Sequence, residues 1–143
     1  MTIARIIEGR RGAEVISCDS NDTMREAVAL LAKKRIGAVP VMRGGSVVGI
    51  FSERDVIYKL ANEGEACLNR PLTDVMTAPP ITVETTSLIN EALALMTRRR
   101  IRHLPVMENG AMVAFISIGD LVKYHTDEVE HEAEALREYI QTA

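Results

Sequence analysis

Two short stretches place a serine three residues ahead of an aspartate and follow the pair with a helix-like apolar pattern: Ser52-Glu-Arg-Asp55 before Val56, and Ser117-Ile-Gly-Asp120 before Leu121. A serine at that spacing from an acidic residue is the pattern of a helix N-terminal capping box, in which each side chain satisfies the other residue's backbone N–H. The same residues suit a second chemistry. A serine hydroxyl and the free N–H groups at a helix start receive a phosphate, and a carboxylate one turn later accepts hydrogen bonds from vicinal hydroxyls, as acidic residues do with nucleotide ribose in other folds. One copy of the pattern proves little, and duplication copies a cap as readily as a site.

The elements that carry the two stretches are themselves repeated. An offset of 65 relates Asp55 to Asp120, Pro40 to Pro105, Ala27 to Ala92 and Ile16 to Ile81 without a gap. Ile16–Leu60 and Ile81–His125 share about 14 identities in 45 aligned positions. In each copy a short apolar run, EVISCD or PITVE, suits a strand. NDTMREAVALLAKKR then opens with Thr23 and Glu26 at capping-box spacing, sets Met24, Ala27, Val28 and Leu31 on one helical face, and ends in positive charge that a helix C-terminus favours. AVPVMRGGSVVGIFS reads as a hairpin turning at Gly44-Gly45, and LPVMENGAMVAFIS as its counterpart turning at Asn109-Gly110. A second helix follows from about Glu53 and Ile118. The unit is β-α-β-β-α, and the class is α+β with α/β-type repeats.

Five segments result: 1–13, a short helix and lead-in presenting Ile3, Ile6 and Ile7; 14–62, the first repeat; 63–78, a linker with a helical turn at Leu72–Met76; 79–125, the second repeat; and 126–143, an acidic helix. The linker is short, so the halves are expected to pack together. The acidic helix places Val129, Ala133, Leu136 and Ile140 on one face, a stripe expected to pair with a second subunit because exposed apolar stripes mark interfaces.

Composition narrows the function classes. At 143 residues, 47% hydrophobic and 26% charged, the chain is an ordinary soluble globular protein. With two Phe, three Tyr and no Trp the core must be aliphatic, and a planar ligand would be clamped by aliphatic side chains. A net charge of −3 speaks against a general nucleic-acid surface. Cys18 and Cys67 are too few for a disulfide framework or thiolate zinc site, which points to a reducing cytoplasm. Apolar runs stop well short of the roughly 20 residues a membrane helix needs, and the start lacks the apolar core of a signal peptide. No nucleophile elbow, paired-acid motif or Walker loop is present, so a non-enzymatic protein is expected, without a catalytic cofactor or metal.

The doubled unit, with the hairpins GAVPVMRGGSVVGIFSERD and RHLPVMENGAMVAFISIGD, resembles a tandem pair of CBS domains over about Thr2–His125. The resemblance implies two repeats packed pseudo-symmetrically through their sheets into a Bateman module, with two clefts for adenosine nucleotides and a tendency to dimerise. It carries the family's G-x-x-[ST]-x-x-[DN] signature onto Gly49, Ser52 and Asp55, making Ser52 a phosphate contact and Asp55 the ribose ligand. Ser117 and Asp120 match in the second repeat, where Ala114 replaces the glycine and narrows the backbone approach. It further implies that Ile16 with Ser17, Ile81 with Thr82, and Ala38, Val39 and Leu104 meet the base, and that Arg54, Arg102 and His103 meet phosphate. AMP or NAD(H) is the expected ligand ahead of ADP and ATP, read out by a protein effector acting in trans.

Other polar residues have plainer roles. Lys33, Lys34, Arg98 and Arg99 suit solvated helix ends, and Cys18 a small buried hydrophobe. His125 and His131 lack metal-ligand spacing. Two readings compete with the sensor: a structural dimer whose sites are vestigial, and a nucleic-acid binder using Arg98–His103.

Overall fold

The computed structural model describes residues 1–10 and 12–142, and within it every element of the repeat recurs at the spacing of 65. The first repeat runs β1 (Cys18–Asp19), α2 (Met24–Lys34), β2 (Ala38–Arg43), β3 (Ser46–Ser52) and α3 (Glu53–Glu63). The second runs β4 (Val83–Glu84), α5 (Ile89–Arg99), β5 (His103–Glu108), β6 (Ala111–Ser117) and α6 (Ile118–Thr142). Two one-turn helices, α1 (Ile3–Ile6) and α4 (Leu72–Val75), precede the repeats.

Each repeat forms a three-stranded sheet, β1-β2-β3 or β4-β5-β6, in which the short strand pairs parallel and the hairpin antiparallel. The register slips at Val41/Met42 in one sheet and at Val106/Met107 in the other, so even the irregularity is duplicated. Gly44, Gly45, Asn109 and Gly110 all have positive φ, the conformation that two-residue hairpin turns demand and that Gly and Asn supply cheaply. The two sheets meet across β3 and β6, giving a pseudo-symmetric pair of repeats.

The apolar stripes read from the sequence build two separate cores. Met24, Ala27 and Leu31 of α2 pack with Val39, Val41 and Phe51, while Ile89, Ala92 and Met96 of α5 pack with Leu104, Val106 and Ile116. The segments outside the repeats complete these cores crosswise. Ile3, Ile6 and Ile7, which precede the first repeat, belong to the second repeat's core; Leu72 and Val75, which precede the second repeat, belong to the first. The backbone repeats this exchange: Ile3 and Ala4 N–H groups donate to Ser87 and Thr85 carbonyls, and Leu72 and Thr73 to Asp22 and Ser20. Each lead-in must therefore cross from one repeat to the other before its own repeat begins.

Two expectations need correction. The first strands, expected over EVISCD and PITVE, reduce to two residues each, because the residues ahead of Cys18 and Val83 belong to the crossing segments and find no ladder partner in their own sheet. The tail is not a separate helix: α6 continues unbroken from the second repeat over 25 residues. No glycine or proline interrupts Leu121–Thr142, so the helix has no reason to stop at His125. Past that point Val129, Leu136 and Ile140 stand exposed, as does Tyr139 beside them.

Candidate functional site

Both Ser-x-x-Asp pairs are capping boxes. The Ser52 N–H donates to Asp55 Oδ2 at 2.9 Å and the Asp55 N–H to Ser52 Oγ at 3.4 Å; the Ser117 N–H donates to Asp120 Oδ2 at 2.9 Å and the Asp120 N–H to Ser117 Oγ at 3.2 Å. The cap engages Oδ2 of each carboxylate and leaves Oδ1 to a partner from a crossing segment. In the first cleft the Thr77 hydroxyl donates to Asp55 Oδ1 at 3.0 Å. In the second, Arg10 grips Asp120 with both arms, Nη2 to Oδ1 at 2.6 Å and Nη1 to Oδ2 at 3.2 Å.

The clefts are composite, which the crossing segments explain. Ser52, Arg54 and Asp55 of the first repeat share a cavity of about 110 Å³ with Thr77, Pro80 and Ile81 of the crossing linker and with Arg100, Arg102 and His103 of the second repeat. Ser117 and Asp120 share a cavity of about 290 Å³ with Arg10 and residues Ala13–Ile16 of the N-terminal crossing, and with Val113, Ala114 and Phe115. Ala38 and His103, equivalent positions of the two repeats, line both. Each aspartate thus faces the isoleucine that leads into the opposite repeat: Asp55 with Ile81, Asp120 with Ile16.

Of the other expected residues, Ser17 lies in a shallow depression beside the second cleft with Met42 and Met112, and Thr82 lines neither cleft. Val39 and Leu104, expected against the base, have no accessible surface; they sit on the central strands, covered on both faces, and belong to the cores. Gly49 is also explained differently from the expectation. A Cβ built there would stand 2.5 Å from Met76 Sδ and 2.9 Å from the Thr77 carbonyl oxygen, so the glycine admits the crossing linker, which pairs with β3 through Ile50 and Thr77. Ala114 lines the larger cavity of the second cleft instead.

Electrostatics separate the clefts further. The first is lined by three guanidiniums against one carboxylate, the second by one guanidinium against Glu14 and Asp120. Arg54 donates one N–H to the carbonyl of Arg100, tying the first helix turn of one repeat to the last turn of α5 in the other; its remaining N–H groups are available to an anion. Burial works to raise the Asp120 carboxyl, but hydrogen bonds from Arg10 and Ser117 and the Arg10 charge outweigh it and hold it below its ordinary range. Burial, aided by Arg102, pushes the His103 imidazole down against the pull of Asp120 and Glu53, which favours the neutral ring. It lies stacked on Phe115 with centroids 5.5 Å apart. Among the described residues no three metal-ligating side chains converge, and no helix is long and apolar enough to cross a membrane.

Arg10, Thr77, Pro80 and Arg100 are site residues that the repeat pattern did not reveal. Three of the four lie in crossing segments whose sequences, MTIARIIEGRR and PLTDVMTAPP, align only at a different offset, 69, where Ile3, Ile6 and Ile7 match Leu72, Val75 and Met76.

Comparison with known proteins gives this geometry its family. The model of the CBS domain matches twice, over residues 11–62 and 72–127. A mitochondrial CBS domain-containing protein of Arabidopsis thaliana is 34% identical over 129 residues, 87% of this chain, and the chain spans 63% of that relative's length. The crystal structure of a CBS-domain-containing protein from Agrobacterium tumefaciens is 33% identical, covers 87% of this chain and 99% of its own, and superposes with a TM-score of 0.81. At 21% identity the fold extends to the CBS domain pair of protein MJ0100, solved with 5′-methylthioadenosine and S-adenosylmethionine, with a TM-score of 0.75 over 90% of this chain and 98% of that one. Two matched repeats, in a chain whose clefts lie where the repeats cross, make this protein a member of the CBS-domain family, a tandem CBS pair.

Proposed function

We propose that the protein is a non-enzymatic regulatory module that binds adenine nucleotides in its two clefts and signals through the packing of its repeats. The observation that carries the reading is the doubled composite cleft, each lined by a capped helix N-terminus and its aspartate. In the first cleft Ser52 and the α3 N-terminus would take the phosphate, with Arg54 and Arg102 adding charge, and Asp55 the ribose. Ala38 and Ile81 would clamp the base. His103, stacked on Phe115, would hydrogen-bond a phosphate. The adenosine-type ligands of the MJ0100 domain pair support the same ligand class.

Cavities of about 110 and 290 Å³ fall below the roughly 300–1,000 Å³ usual for ligand sites. A nucleotide would therefore enter by displacing the crossing segments and shifting one repeat against the other, a ligand-favoured population change that a partner in trans reads. The modest cationic set of Arg54, Arg102 and His103 in the first cleft favours AMP or NAD(H) over ADP and ATP. Two free, buried cysteines suit a reducing, cytoplasmic setting. Self-association would use α3, which buries none of its residues and exposes Ile57 and Tyr58, together with the stripe of α6.

The test is thermal unfolding alone and with AMP, ADP, ATP, NAD and NADH, on the wild type, Asp55→Ala and Asp120→Ala. A ligand at 100 times its dissociation constant should add about 2.7 kcal/mol. A midpoint raised by one nucleotide and restored by a single Asp substitution supports the reading. If no nucleotide moves any midpoint, the pairs are helix caps alone and the structural-dimer reading replaces the sensor. Salt-steep binding of RNA or DNA would instead favour the nucleic-acid reading, which would draw on Arg98, Arg99, Arg100 and Arg102, all exposed.

A further inference from the structure

The two crossing segments are not copies of one another. Their one-turn helices correspond at an offset of 69, while everything from Ile16 and Ile81 onward corresponds at 65, so the N-terminal crossing is longer by four residues. The extra length accommodates a single 3₁₀ turn, Glu8–Arg10, which has no equivalent in the linker crossing. That turn carries Arg10 to Asp120.

What the two aspartates hold is therefore chemically different. Thr77 offers Asp55 a hydroxyl, which both donates and accepts and can rotate to stay beside a ribose. Arg10 offers Asp120 a forked cation that only donates, in two charge-assisted bonds of 2.6 and 3.2 Å. Two donors on a carboxylate are what a vicinal diol presents. We propose that Arg10 is the specificity-determining residue of the second cleft: it occupies the place of a ligand's hydroxyl pair on Asp120, so that this cleft, although larger, loads only when the ligand displaces the guanidinium. This inference rests on the reading of the clefts as nucleotide sites. It makes the second cleft self-occupied by its own lead-in and the first cleft the one that fills first. It also couples occupancy to the N-terminal segment, because Ile3, Ile6 and Ile7 anchor that segment in the second repeat's core.

The test is calorimetric titration with AMP on Asp55→Ala, which isolates the second cleft, and on Asp55→Ala combined with Arg10→Ala, with the wild type and Arg10→Ala alongside. Arg10 is partly exposed, and a circular-dichroism melt checks that each variant is folded. Losing a charge-assisted but partly solvated competitor should tighten the second site by roughly three- to tenfold. Equal affinity with and without Arg10, or no second-site binding in either variant, overturns the proposal; weaker binding without Arg10 overturns it by making the guanidinium a phosphate ligand. If the wild type binds AMP at a site that Asp55→Ala abolishes, the nucleotide reading stands even when the Arg10 proposal falls. If AMP binds neither the wild type nor Arg10→Ala, both fall.

Discussion

Replacing Gly49 with alanine tests how the first cleft is closed. Gly49 has an ordinary backbone conformation, so alanine is not strained by φ, and the substitution removes one source of chain entropy from the unfolded state, worth about 0.4–1 kcal/mol in favour of folding. Against this, the new methyl would meet Met76 Sδ at 2.5 Å and the Thr77 carbonyl oxygen at 2.9 Å. The methionine side chain can move away. The carbonyl cannot move independently, because it accepts the Ile50 N–H at 3.0 Å while the Thr77 N–H donates back to Ile50 at 2.9 Å. Overpacking costs about 1–3 kcal/mol, and parting the bridge would lose two hydrogen bonds at about 1 kcal/mol each. The net destabilisation should be about 1–3 kcal/mol, a fall of about 4–12 °C in Tm for a chain of this size. Urea unfolding with the m-value held as a check on two-state behaviour is the assay. A variant as stable as the wild type, within about 0.5 kcal/mol, would show that the crossing linker does not lie against β3 as described and that Gly49 serves another purpose.

Three further outcomes follow from the charges and the exposed helix. Because the folded-state pKa of Asp120 is depressed, its stabilising contribution is present above the ordinary carboxylate pKa and lost as pH falls through the folded value; the stability gap between wild type and Asp120→Asn should hold from about pH 7 to pH 5 and shrink below about pH 4, and a gap constant through the acid range would remove the Arg10 pair as its source. Burial, with Asp22 and Glu26 adding to it, pushes the Cys18 thiol up to about 11, so at pH 8 about one molecule in a thousand carries the thiolate; a disulfide reagent should label Cys18 only on unfolding, and rapid labelling of the native protein would contradict its burial. If two copies associate through α3 and the α6 stripe as proposed, deleting residues 127–143 should lower the mass in solution toward that of a monomer by light scattering; an unchanged mass would remove the stripe from the interface.

Much of the fold was legible because duplication is a comparison the chain makes with itself. The capping boxes, the helix faces of Met24, Ala27 and Leu31, and the two hairpin turns are local consequences of residue type, and each appears at its counterpart. The continuity of α6 into the tail is also legible, since no glycine or proline breaks the run after Leu121; the division at Thr126 follows the end of the repeat and not any helix-stopping residue. Val39 and Leu104 are placed at the base by the family resemblance, but strand alternation turns them away from the face that Ala38 and His103 present to the clefts and into the cores.

The amino-acid sequence by itself determined what depends on neighbours along the chain: two β-α-β-β-α units, their turns, their caps, and the two aspartates one turn into a helix. Which wall each aspartate faces was decided only by tertiary structure, because the lead-ins exchange cores. Ile3, Ile6 and Ile7 are buried by the repeat that does not follow them, and Leu72 and Val75 likewise. That exchange sets Ile81 and Thr77 opposite Asp55, and Ile16 and Arg10 opposite Asp120. Arg10 and Asp120 are 110 positions apart. No pattern of residue spacing joins them, and the apolar burial that brings them together is non-directional, a property of the packed whole.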